Sequence, residues 1–241
     1  MSPLHTAISV SVAAGFTAGG FTYAGRWPGS QIFGKTLQPS DDPNQVALTY
    51  DDGPSPANTP QLLDLLAEFG VHATFFLLGD HVRRHPQLAR RVVEAGHTVG
   101  NHTQTHPSLL FCSPAHVRSE LETCQQTIFD TTGVQARIFR PPFGSRRPDV
   151  LQTARVMGLI PALWNVSSVD WRGQGAERIL SRIDRSIASN QRRQRASNIL
   201  LHDASHLDTV VEAHSRHATI EVTRRLLMRP GFSFTMLAAW L

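Results

Sequence analysis

The 241-residue sequence lacks several of the features that mark whole classes of protein. It has two cysteines, Cys112 and Cys124, too few for a disulfide scaffold and without the C-x-x-C spacing of a zinc knuckle. Lysine is nearly absent: Lys35 stands alone, so the formal charge of +4 is carried by arginine. The arginines are scattered, and their one dense run, Arg192 to Arg195, has no aromatic residues interleaved. That pattern fits a solvated loop and argues against nucleic-acid binding. No apolar stretch is long and unbroken enough for a membrane span. The nearest, AISVSVAAGFTAGGF close to the N-terminus, is interrupted by glycine and lacks the basic residues that open a secretory signal, so it reads as weakly signal-like or as a strand. Such a start favours a secreted or cell-envelope location slightly over a cytoplasmic one. With no repeat, no low-complexity tract and no long linker, one compact domain is expected, and 41% hydrophobic residues against 17% charged supply its core.

What the sequence does have is a regular alternation of strand-like and helix-like segments. Gln45–Tyr50 is strand-like; Thr59 and Pro60 can open a helix whose apolar stripe of Leu62, Leu63, Leu65, Leu66 and Phe69 is stopped by Gly70. The cycle then recurs. ATFFLLG precedes the helix HPQLARRVVEAG, HTVGNH precedes PAHVRSELETCQQTIFDTTG, and ARIFRPPFG precedes a helix over 147–157. IPALWNVSS precedes a helix over 176–189, SNILLHD precedes one over 209–228, and FSFTML closes the series as a last short strand. Seven strands with helices after six of them predict a parallel sheet, and the length suits a (β/α) barrel smaller than the eight-unit form, with an open doubly wound sheet as the competitor.

In either architecture chemistry gathers beyond the carboxyl ends of the strands. Asp51 and Asp52 end the first strand, His102 and His106 follow the third, Arg140 ends the fourth, Asp170 follows the fifth, and His202 and Asp203 end the sixth. Five units each delivering an acid, a base or a guanidinium to one rim point to a shared site. Within HTQTH, histidines at i and i+4 share a face if the segment is helical, which suits a divalent metal; no Glu stands between them, so this is not the HExxH of a zinc protease. Asp51 and Asp52 supply the missing parts, one as an oxygen ligand and the other as the base acting on water. A nearby cation also offsets the repulsion between adjacent carboxylates.

TYDDGPS, HTQTH, RPPFG, VDW and LLHD, in this order and at these intervals, resemble the five motifs of the polysaccharide deacetylases with a NodB-homology domain, carbohydrate esterase family 4. The resemblance covers 45–241 as the catalytic domain and leaves 1–44 as a lead-in segment, although SQIFG within it is similar to a lead-in of some bacterial members. It implies a distorted, TIM-like (β/α)7 barrel in a single domain. It also implies metal-dependent removal of acetyl groups from an N-acetylated glycan, chitin oligomers or peptidoglycan. By that resemblance Asp51 is the general base, and Asp52, His102 and His106 hold Zn²⁺, with Co²⁺ as an alternative. Arg140 orients Asp51, His202 is the general acid tuned by Asp170, the Phe143 backbone N–H helps bind the oxyanion, and Trp171 and Leu200 wall the acetyl pocket. Two departures stand out: Ser167 occupies a position where the family often has an acid, and Phe143 replaces the Tyr of RPPYG. An O-acetyl esterase acting on xylan and a non-catalytic carbohydrate-binding protein are the competing readings. Trp164 and Trp240 sit in apolar runs and are expected to pack, and His206 is expected in a solvated loop.

Overall fold

A computed structural model describes residues 20–207 and 216–241 of the chain, so the signal-like start lies outside the described residues, as does the beginning of the helix expected over 209–228. The first strand, β1 (Gln45–Asp51), is buried over almost its whole length because it is central. It carries β7 (Ser197–His202) on one side and β2 (Thr74–Leu77) on the other, all parallel. From β2 the sheet runs outward through β3 (Thr98–Asn101) and β4 (Ile138–Phe139) to β5 (Ile160–Pro161), and beyond β7 lies β6 (Val166–Ser167). A short β8 (Ser233–Thr235) pairs with the opening residues of β1.

Helices cover the outer face as their sequence stripes require. In α1 (Thr59–Glu68), Leu62, Leu63, Leu65 and Leu66 are buried, each contributing about 2 kcal/mol relative to exposure, and Gly70 leaves the helix in a left-handed conformation at φ 62°. The helix α4 (Pro114–Thr132) opens on Ser113, whose hydroxyl accepts the His116 N–H, and closes at left-handed Gly133. Around the rest of the sheet lie α2 (Gly79–Arg84), α3 (Pro86–Glu94), α5 (Pro148–Val156), α6 (Ala176–Arg192) and α7 (His217–Leu227). The expected helix over HPQLARRVVEAG is preceded by a shorter one, α2, which covers residues 80–84 between the expected strand and helix, where the sequence pattern assigns no element.

The segment IPALWNVSS differs from expectation in an instructive way. Instead of one strand it forms β5 and β6, which lie at opposite ends of the sheet and do not pair with each other. Between them the carbonyls of Ala162 and Leu163 accept from the Arg140 guanidinium at 3.3 and 3.1 Å, and Leu163 also accepts from Asn198 at 2.6 Å. Side chains thus satisfy the polar backbone where a ladder would otherwise run, and the barrel stays open along that seam. This is the distorted (β/α)7 arrangement. The lead-in residues that are described pack onto it: Leu37 N–H donates to Pro161 at 2.7 Å and Ser40 accepts the Ala196 N–H at 2.8 Å.

Candidate active site

The first carboxylates face one cavity because β1 ends in an unusual conformation. Asp51 sits in register with His202 across β7, and the chain then turns at Asp52, whose φ of 73° is one of the left-handed values that Asp tolerates better than most side chains. The break in strand alternation brings both acids against His102, whose Nε2 lies 3.8 Å from Asp51 Oδ2 and 3.4 Å from Asp52 Oδ1. His106 Nε2 approaches Asp52 Oδ1 at 3.3 Å. His81, at first sight one more unremarkable histidine, fixes this turn from α2, with its Nδ1 2.7 Å from the Asp52 carbonyl.

The two histidines do not share a helical face. Residues 102–106 form a tight loop in which Thr103 and His106 both have positive φ, 73° and 61°. A buried carboxylate holds it: Glu120, projecting from α4, accepts the N–H groups of Gln104 and Thr105 at 2.9 Å and the Thr105 hydroxyl at 2.8 Å. The Gln104 carboxamide fills the space where a Cβ on residue 79 would sit, which is why α2 begins with glycine.

Asp52, His102 and His106 are all buried, and their ligand atoms lie within 4.8 Å of one another. Ligands about 2.0–2.1 Å from a tetrahedral ion are themselves separated by roughly 3.4 Å, which matches the 3.3 and 3.4 Å found here. Asp52 Oδ1 has no hydrogen-bond donor, an uncommon state for a buried carboxylate oxygen that a cation satisfies. His102 donates through Nδ1 to the Arg140 carbonyl at 2.8 Å, which fixes the tautomer that presents Nε2 to an ion. Burial pushes His106 down to about 3, keeping it a neutral donor. Burial also raises Asp52, but contacts with His102, His206, His106 and His202 outweigh it and hold that carboxyl well below its usual range. The donor set and its geometry fit a divalent metal.

Arg140 is completely buried and uses all five of its N–H groups. They reach Asp51 at 2.7 Å, Thr49 at 2.8 Å, the Ala162 and Leu163 carbonyls, and Asn198 at 3.4 Å. Its guanidinium also lies over Phe76, 4.0 Å from the ring centroid. The arginine that satisfies the carbonyls along the open seam is thus the one that holds Asp51.

On the far side, His202 Nδ1 is 2.8 Å from Asp170 Oδ1, and its backbone N–H donates to Oδ2 at 2.9 Å. Asp170 accepts two further bonds, from Ser168 at 2.9 Å and from Thr219 at 2.8 Å, and follows Val169 in the left-handed region, a strained place for a β-branched residue. Burial opposes a charged His202, but Asp170, together with Asp52 and Asp51, outweighs it and raises the imidazole above its ordinary value. Trp171 packs edge-on against the His202 ring at 5.2 Å. Asp203 faces away from this cavity: it accepts from Thr59, crowds Gly53, and burial pushes it up to about 7.

A cleft of about 310 Å³ opens over these groups, lined by Asp51, His102, His106, His202, Phe143, Trp171 and Leu200, all expected there. Phe143 itself is in a left-handed conformation, φ 57°. Trp164 packs against Gly144, as expected of a wall residue, and its ring also lines the cleft. Trp240 is half-buried with its indole bonded to Gln45. His206 lies in an exposed loop, as expected, but its ring also stacks on His106 at the cleft edge, 4.3 Å between centroids. Asn101 and Asn165, in sequences that resemble glycosylation sites, bond the Leu121 and Ala196 carbonyls through their side chains. The two cysteines are free thiols.

A buried Asp-His-His metal centre flanked by an Arg-held carboxylate and an Asp-held histidine, at the C-terminal rim of a (β/α) barrel, defines a metal-dependent hydrolase. The chain belongs to the polysaccharide deacetylase family, whose model matches residues 38–162. It is 38% identical over 194 residues to a chitooligosaccharide deacetylase of Bradyrhizobium, covering 78% of this chain and 86% of that one. It is 34% identical over 139 residues to a peptidoglycan-N-acetylglucosamine deacetylase of Bacillus cereus, covering 58% of this chain and 50% of that one. Among solved structures it is similar to a CE4 family pseudoenzyme from Bacillus anthracis, at 26% identity and a TM-score of 0.70, over 82% of this chain and 65% of that one. The last comparison shows that the fold alone does not guarantee activity, which depends on the residues of the site.

Proposed function

We propose that this protein is an N-deacetylase of N-acetylglucosamine-containing glycans, chitin oligomers or peptidoglycan, with zinc as its ion and cobalt able to replace it. The observation that carries this reading is that Asp51–Arg140, His202–Asp170 and the three metal-binding side chains all converge on one cleft. The named activities of the Bradyrhizobium and Bacillus cereus relatives support the substrate class.

When bound, the ion supplies Lewis acidity to the acetyl carbonyl and to the attacking water. Asp51, held by Arg140 Nη1, is oriented to take the proton from that water, a general-base role whose geometry is set before substrate arrives. The Phe143 backbone N–H helps bind the developing oxyanion. Because the His202 Nδ1 is engaged by Asp170, the proton for the departing amine comes from Nε2. Trp171 and Leu200 form the apolar wall for the acetyl methyl group, and Leu200, on β7, is 2% exposed and therefore fixed in place.

The test is a product assay with N-acetylglucosamine oligomers and acetylated xylan in parallel. Release of acetate and free amine in equal amounts from the oligomers, lost on chelation and regained with zinc or cobalt, is the expected result. Acetate from xylan alone identifies an esterase, and no product from either identifies a non-catalytic member.

Asp170 provides a second, independent test. The acid must be protonated to act, so activity falls as pH rises through the His202 pKa, which Asp170 holds up. Replacing Asp170 by Asn is expected to move the alkaline limb of the kcat profile to lower pH, with a larger loss at pH 8 than at pH 6. An unchanged limb removes the tuning role.

A further inference from the structure

His206 lies four residues beyond His202, on the loop that follows β7. Its ring is nearly parallel to that of His106, 18° between planes, and Phe143 meets both rings edge-on, at 4.6 Å from His106 and 5.7 Å from His206. His206 Nδ1 is 3.9 Å from Asp52 Oδ2, the oxygen of that carboxylate other than the one facing His102 and His106.

The need for such a contact shows in the neighbouring histidine. A histidine that binds a metal through one ring nitrogen ordinarily donates from the other, and this bond sets the ring's orientation. His102 follows the rule, through Nδ1 to the Arg140 carbonyl. His106 does not: its buried Nδ1 has no hydrogen-bond partner. What holds the His106 ring is packing, with the His206 face on one side and the Phe143 and His102 edges around it.

From this we infer that His206 is a positioning residue of the metal centre, packing its face on the His106 ring and setting Nδ1 beside the Asp52 carboxylate at charge-contact rather than hydrogen-bond distance. The inference rests on the metal reading above and deepens it. His206 is not placed as a ligand. A ligand's lone pair lies in the ring plane, and an ion in the plane of His106 is off the plane of a ring stacked upon it. Its 3.9 Å approach to Asp52 is also longer than the 3.3 and 3.4 Å separations within the ligand set.

Two halves of one side chain do the holding, and substitution can separate them. Phe at 206 keeps a flat ring for the stack and loses the nitrogen. Asn at 206 places an amide nitrogen near the position of Nδ1 and loses the ring.

The experiment titrates Co²⁺ into metal-free protein at fixed pH and follows both the dissociation constant and the ligand-field absorption of the bound ion. His206→Ala is expected to weaken cobalt binding about 10–100-fold, the range for loss of a group that orients a metal ligand, with the absorption bands retained. His206→Phe and His206→Asn are each expected to recover part of that loss. Unchanged affinity in His206→Ala, or no recovery in either of the other variants, overturns the inference. Altered bands showing the loss of a nitrogen ligand also overturn it, because His206 is then itself a ligand. Failure of the wild-type protein to bind cobalt overturns instead the metal reading on which it stands, and circular dichroism of each variant separates all of these from misfolding.

Discussion

Replacing Asp51 by Asn is expected to lower kcat on N-acetylglucosamine oligomers by about 10²–10⁴-fold, the usual contribution of a positioned general base. The substitution preserves the shape of the side chain and removes its capacity to take a proton. It also leaves Arg140 without a counter-charge, but the guanidinium keeps its bonds to Thr49, Ala162, Leu163 and Asn198, so the seam of the barrel is still satisfied. Breaking a buried pair by removing one partner commonly costs about 3–5 kcal/mol, and a lower Tm is expected for that reason. Activity must therefore be measured well below the variant's Tm. Zinc binding should be largely preserved, because the atoms that satisfy the ion belong to Asp52, His102 and His106. A variant within tenfold of wild type in kcat would contradict the assignment of Asp51 as base.

Replacing Asp52 by Ala should have the opposite signature, with metal binding failing first. The site then loses its only carboxylate ligand and keeps two imidazoles. One ligand's share of the roughly 10–16 kcal/mol yielded by a structural zinc site corresponds to an affinity loss of about 10²–10³-fold. Stability adds a sharper test. Without metal, the variant should start from a lower Tm, because it loses the histidine contacts that hold the Asp52 carboxyl down and places Ala at φ 73°, so the informative quantity is the shift that zinc produces. Adding zinc at 100 times its Kd should stabilise the wild type by about 2.7 kcal/mol. The same zinc concentration should leave the Asp52→Ala protein almost unmoved. Equal thermal shifts in the two proteins would place the ion elsewhere.

Much of this site is legible in the sequence because a parallel sheet with crossover helices carries its strand-end residues to one rim. Asp51, Arg140 and His202 could be placed together from strand-like runs alone, and Gly70 and Gly133 mark helix ends through a conformation that glycine adopts without strain. The division of roles among those residues came from the family's motifs, not from their spacing. What stayed hidden depends on contacts between segments far apart in the chain. IPALWNVSS reads as one strand because its apolar run is continuous, and the side chains that divide it, Arg140 and Asn198, lie 22 or more residues away from the carbonyls they hold. HTQTH offered a helical spacing, but Glu120 on α4 folds the segment into a loop. His81 and His206 could not be told from surface histidines, since no periodicity says which way a helix end or a loop turns a single ring. The i+4 spacing of His206 from His202 was visible; its stacking on His106 was not.

The most direct measurement is a zinc-edge anomalous difference map from crystals grown with one equivalent of zinc. A single strong peak about 2.0–2.2 Å from Asp52 Oδ1, His102 Nε2 and His106 Nε2 is the predicted result. A map with no peak there, or with the ion held by other residues, would contradict the account.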